Sequence, residues 1–283
     1  GQGRRGVEGP VDAKRQGWRV GCDVEAGGMQ HERDGEAGGG GRSRGLAIAA
    51  LVLLVPAPTV GVVAGLYAAP GPAGQAVWAV SKLWLFGLPI AWHLLVQRRP
   101  MPRPAMTTRG LGMGLITGVA ITAIIVGAYL VLGGRMIDPQ VVRDRAAEAQ
   151  LDRLGVYIGL VLYASFVNAL LEEYVWRWFV FGQCETALGR AAGEADGTDR
   201  RGVSGRGVAA VGLAGLLFTL HHVVALAAYF DPLVTALCSV GVFIGGVTWS
   251  GLYLRYRSIW PGYVSHVLAD LALFAVGAHL IFG

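Results

Sequence analysis

The sequence predicts an all-α fold: a polytopic membrane bundle of about seven transmembrane helices with its N-terminus in the cytoplasm. Three observations predict it. The 283 residues are 53% hydrophobic and only 15% charged, too little polar surface for a domain that meets water on every side. Several apolar runs reach the roughly 20 residues that a helix needs to cross a bilayer. The arginines gather at the ends of those runs, which is the pattern of membrane orientation. The net charge of +5 therefore carries no expectation of a nucleic-acid partner.

Taken in order, residues 1–43 are rich in Gly, Arg and acids and show no recurring apolar face. That composition predicts a disordered tail. Met29 is the first methionine, and the expectation is a native start at or near it. From 44 to 283 a single transmembrane domain is expected. Its spans are read at about 45–69, 74–97, 110–134, 155–182, 207–230, 233–254 and 258–282, each long enough for a ~30 Å core at ~1.5 Å per residue. With the N-terminus inside, Arg42 and Arg44, the loop 98–109, the link 183–206 and the link holding Arg255 and Arg257 all fall on the cytoplasmic side, as the positive-inside rule requires. The stretch 135–154 has helical apolar spacing and reads as an amphipathic helix lying along the interface. No internal repeat is visible, which weakens a transporter reading. Cys22, Cys184 and Cys238 are far apart and suggest neither a disulfide framework nor a thiolate metal site.

The fourth, fifth and seventh spans carry clustered ionisable side chains, each costing about 2.5–3.5 kcal/mol to insert. They are Glu172, Glu173 and Arg177 in the fourth span, His221 and His222 in the fifth, and His266 and Asp270 in the seventh. Glu173 and Arg177, Phe218 and His222, and His266 and Asp270 are each spaced i, i+4, so each pair shares a helix face. Counted from the cytoplasmic ends, Glu172, His222 and His266 lie about 10, 15 and 8 residues in, roughly 12–22 Å deep. Similar depth on three helices predicts one buried polar site.

Peptide hydrolysis needs a base to activate water, an acid for the leaving amine and donors for the oxyanion. A carboxylate removed from water is a stronger base, which suits the first task. The bland alternatives are an i, i+4 ion pair for Glu173 and Arg177, a contact with a neighbouring helix for His221, and structural or interfacial roles for His93 and His279. Lys82 reads as snorkelling to the outer interface. The string Gly202-Val203-Ser204-Gly205 lies in an Arg-rich link and not in a span, so it reads as coincidence. His31-Glu32 lacks the second histidine of HExxH, and there is no GxGD string.

The order EExxxR (Glu172, Glu173, Arg177), FxxxH (Phe218, His222) and HxxxN/D (His266, Asp270) resembles the CPBP family, the CAAX protease and bacteriocin-processing (or ABI) intramembrane proteases. The resemblance covers about residues 150–282. It implies an intramembrane endopeptidase in which Glu172 is the base, His222 helps hold the water, and His266 with Asp270 forms the oxyanion or support side. Glu173, Arg177 and Phe218 would support the site. Asp270 stands where Asn is frequent in the family, and an ionised carboxylate cannot donate to an oxyanion. It must then be protonated, orient His266, or help hold a metal. Two mechanisms remain open: a metal-free glutamate one, which is the preferred reading with no required cofactor, and a Zn²⁺-dependent one with His222, His266 and Asp270 as ligands.

The partners implied are the lipid bilayer and a membrane-anchored protein or peptide substrate. The localisation implied is a multi-pass position in the cell membrane, a bacterial one by the Ala-, Gly- and Arg-rich composition. The alternative is a non-catalytic membrane binding or bacteriocin-immunity protein on the same scaffold.

Overall fold

The computed structural model describes residues 41–68, 71–100, 108–189 and 205–283. Among them there is no strand, and seven helices are long and apolar enough to cross a membrane. These are α1 (Gly41–Ala68), α2 (Pro72–Val96), α3 (Leu111–Met136), α5 (Leu154–Ala187), α6 (Gly205–Ala227), α7 (Pro232–Tyr256) and α8 (Trp260–Phe282). The short α4 (Pro139–Glu148) lies between α3 and α5. The spans match those expected to within five residues at each end. The helix α1 begins by Gly41, inside the stretch read as tail. The expected disorder of residues 1–40, Cys22, the arginines between 190 and 201, and most of the Gly-Val-Ser-Gly string lie outside the described residues.

Local chemistry explains the starts. Asp138 caps α4 by accepting from Gln140 N at 2.8 Å, and Asp231 caps α7 by accepting from Leu233 N and Val234 N at 2.8 and 3.1 Å. Each Asp is followed by a proline at the first helical turn, where a missing N–H costs nothing. At the α7–α8 link, Arg257 sits at φ 49° and its guanidinium grips Glu185 of α5 in two hydrogen bonds of 2.7 and 2.8 Å. That paired contact fixes the end of α5 against the turn.

The outer surface is apolar: Leu83, Leu95 and Leu130 are 74%, 73% and 75% exposed, which suits contact with lipid. The core gathers around the second half of α5, where Val175, Trp176, Phe179, Val180 and Phe181 pack with Leu54, Leu85, Phe218 and Trp249. Cys184 is a buried free thiol of this core. In the same half, residues Glu173–Phe181 wind as π-helix, a widening that is common at functional sites.

The helix α3 runs along α8, and Gly114 and Gly118 make the approach close enough. A Cβ on Gly114 would strike the Pro261 backbone, and one on Gly118 would meet Ser265 and Leu268. This is the small-residue spacing that lets membrane helices touch. Between the two glycines, Thr117 Oγ1 donates to Ser265 Oγ at 3.2 Å, one residue before His266.

Candidate active site

The helices α5, α6 and α8 bring Glu172, Glu173, Arg177, His221, His222, His266 and Asp270 into one buried cluster. Glu173 and Arg177 are fully buried, and His266 and Glu172 are 4% and 8% exposed. Buried charges persist only when paired and hydrogen-bonded, so the partners matter.

Arg177 Nε lies 3.4 Å from Glu173 Oε1, and Arg177 Nη1 donates to Ser250 Oγ of α7 at 3.0 Å. The guanidinium also sits over the rings of Phe218 and Trp249, at 4.9 and 5.5 Å. The expected i, i+4 ion pair is therefore present. Glu173 does a second job that its spacing does not announce: Oε1 accepts a hydrogen bond from His266 Nδ1 at 3.1 Å. A Cβ on Gly262 of α8 would run into the Glu173 carboxylate, so the glycine makes room for it. The His266 ring stacks on Trp249 at 3.9 Å and 17°. Trp249 is held in turn by its own hydrogen bond to Ser265 Oγ at 3.0 Å.

With Nδ1 engaged, His266 turns Nε2 to two further carboxylates: Glu172 Oε2 at 3.8 Å and Asp270 Oδ1 at 3.7 Å. Of the roles open to Asp270, orienting His266 through a short hydrogen bond is taken by Glu173 instead. Asp270 stands close to Nε2 of the ring but beyond hydrogen-bonding range.

Glu172 has one oxygen held and one turned to His266. Asn168 Nδ2 donates to its Oε1 at 2.8 Å, while Oε2 faces His266. Across from it, His222 Nδ1 donates to the Phe218 carbonyl at 2.9 Å, which fixes the tautomer and leaves Nε2 with its lone pair. Phe218 packs on the His222 ring at 4.5 Å. His221 stacks on Trp176, with ring planes 6° apart, and its Nδ1 is buried with no hydrogen-bond partner.

A donor set that could hold a metal ion converges here, and it differs from the expected His222, His266 and Asp270. Donor atoms of Glu172, His221 and His222 lie within 4.8 Å of one another, the one such group among the described residues. Two histidines and a glutamate match the donor chemistry of catalytic zinc, and the unpartnered His221 nitrogen fits a ligand position.

The spacing argument missed Asn168, Ser250, Trp249 and Ser265 because none is ionisable; Ser250, Trp249 and Ser265 act through contacts between helices, whereas Asn168 lies one turn before Glu172 on α5. Lys82 was also misread. Rather than snorkelling outward, its ammonium donates to Asn168 Oδ1 at 3.3 Å and lies 5.5 Å from the Trp78 ring centre. His93 bonds to Gln97 and the Pro100 carbonyl, and His279 meets Tyr129 edge-on.

Residues 154–272 match the family described as type II CAAX prenyl endopeptidase Rce1-like. The matched segment contains all three motifs and lies inside the stretch for which a CPBP resemblance was expected. Neither a curated protein nor a solved structure matches the chain. The Rce1-like family is one of membrane proteases, and the seven apolar helices agree with a multi-pass membrane protein.

Proposed function

We propose that this protein is an intramembrane endopeptidase in which Glu172 activates the attacking water. The observation that carries the reading is the position of the Glu172 carboxylate, with Oε2 3.8 Å from His266 Nε2 and one of its oxygens within 4.8 Å of the His221 and His222 donors. A water between these groups would give its proton to Glu172 while His222 Nε2 accepts its second hydrogen. The hydroxide would add to the scissile carbonyl, and Glu172 would return the proton to the departing amine. Nothing is left over: one water is consumed, and one carboxylic acid and one amine form.

The carboxylates around it support His266 as the oxyanion side. Glu173, Asp270 and Glu172 stand 3.1, 3.7 and 3.8 Å from its ring nitrogens, a setting that suits a ring carrying both protons. The ring then donates from Nδ1 to Glu173 and keeps an N–H at Nε2 for the developing oxyanion.

A second reading rests on the convergence of Glu172, His221 and His222. These three would hold a divalent cation, which would act as a Lewis acid on the carbonyl or on water. His266 is the residue available to hold the substrate carbonyl in both readings.

The substrate class is a peptide segment at or within the bilayer: a membrane-anchored protein, a leader peptide, or the prenylated C-terminus that the family's description names. The Arg-rich links support a cytoplasmic N-terminus and a site reached from that side. The test compares neo-termini in membrane and secreted fractions from cells carrying wild type or Glu172→Ala. Termini that vanish in the variant support proteolysis and name the substrate. Identical termini, with the variant stably inserted, favour a non-catalytic binding or immunity role.

A further inference from the structure

The first helices contribute a side chain to the site from outside the Rce1-like segment. Lys82 lies on α2, well before residue 154. Its ammonium donates to Asn168 Oδ1 at 3.3 Å, and the Asn168 amide donates onward to Glu172 Oε1 at 2.8 Å. The two partners fix the amide orientation, since only Oδ1 can accept from lysine and only Nδ2 can donate to a carboxylate. The chain Lys82–Asn168–Glu172 therefore runs in one direction. Trp78 and Phe86, one turn to either side of Lys82, place their rings 5.5 and 5.8 Å from the ammonium and confine it.

We propose that Lys82 and Asn168 form a positioning relay for Glu172: they pin Oε1 and leave Oε2 as the oxygen that meets water. Without the relay the Glu172 side chain is free to rotate about its last torsion, which is broad and two-fold. Lys82 also supplies a counter-charge to the carboxylate in a medium where charge is poorly screened. Neither residue touches the reacting atoms; both act through Glu172. The inference rests on the reading of Glu172 as the base.

The test uses full-length enzyme reconstituted in vesicles and a peptide spanning the neo-terminus that depends on Glu172. Lys82→Met and Asn168→Leu are each expected to lower kcat about tenfold or more and leave KM within about twofold. Lys82→Arg, which restores donor and charge, is expected to recover most of the rate. The double variant is expected to fall no further than Asn168→Leu alone, because residues acting in one chain are not additive. Thermal unfolding in detergent, unchanged in Lys82→Arg and Asn168→Leu, separates positioning from folding. Wild-type kcat in both Lys82→Met and Asn168→Leu overturns the relay while leaving Glu172 as base. A loss confined to KM, or additive losses in the double variant, overturns it as well. Full activity in Glu172→Ala overturns the base reading and the relay together.

Discussion

His266 and Glu173 are locked to each other: the imidazole Nδ1–H donates to Glu173 Oε1 at 3.1 Å, on the same oxygen that faces Arg177 Nε at 3.4 Å. One carboxylate thus joins α8 to α5 and sets which ring nitrogen of His266 looks into the site. Replacing Glu173 by Gln keeps the size and an oxygen but removes the charge. The expected outcome is a fall in kcat of about a hundredfold with the protein still inserted, a magnitude in the range lost when a hydrogen-bonded catalytic group is disturbed. Activity at the wild-type level in reconstituted Glu173→Gln would show that His266 needs no such partner.

Arg177 is the counter-charge for a carboxylate with no access to water. Arg177→Met leaves Glu173 buried and uncompensated, so a loss of about 3–5 kcal/mol of stability is expected. Arg177→Lys is expected to recover only part, because a single ammonium cannot serve both Glu173 and Ser250 while lying flat against Phe218 and Trp249. Thermal unfolding in detergent reads both, and equal midpoints for the Met and Lys variants would contradict the second point.

Gly262 has space for a hydrogen and nothing larger. Gly262→Ala forces its methyl against the Glu173 carboxylate, with an expected cost of about 1–3 kcal/mol for overpacking. Peptidase activity should drop more steeply than the unfolding temperature, since the displaced group orients His266. Equal and unaltered activity would mean that the carboxylate relaxes without consequence.

Ser265 accepts from two sides, from Trp249 Nε1 at 3.0 Å and from Thr117 Oγ1 at 3.2 Å. Ser265→Ala leaves the buried indole N–H unpaired and is expected to destabilise by about 1–3 kcal/mol. The double change Ser265→Ala with Trp249→Phe removes both halves of that bond, so its unfolding midpoint should lie above the value that the two single losses sum to.

Chelation separates the two readings of the site. In the glutamate mechanism, purified enzyme keeps its activity after treatment with a strong chelator and carries far less than one zinc per chain by elemental analysis. Loss of activity restored by Zn²⁺, with His221→Ala abolishing the bound metal, would establish the Glu172, His221 and His222 set as a metal centre.

The spans were legible because a bilayer imposes length and apolarity on each helix directly, and the three pairs of polar residues were legible because i, i+4 spacing puts them on a face. What the spacing could not convey is which partner each residue takes across helices. Glu173 reads as a local ion pair with Arg177, yet its contact with His266 joins residues 93 positions apart. The π-helical winding of Glu173–Phe181 also alters the angular arithmetic on which a face is drawn. Lys82 was misjudged for a related reason: a lone lysine in an apolar run is normally explained by the interface, and its amide partner is uncharged and lies 86 residues away.

The seam between α3 and α8 has a consequence for how the protein is dissected. Thr117, Gly114 and Gly118 all precede residue 154, yet they set the approach and the hydrogen bonding of the helix that carries His266. The stretch that matches the Rce1-like family is therefore shorter than the stretch whose helices pack around His266. A fragment cut to the boundaries of the matched segment would expose the small-residue flank of α8 to lipid and leave Ser265 without its α3 donor. The resemblance marks one segment of the bundle; the packing that holds His266 in place begins well upstream of it.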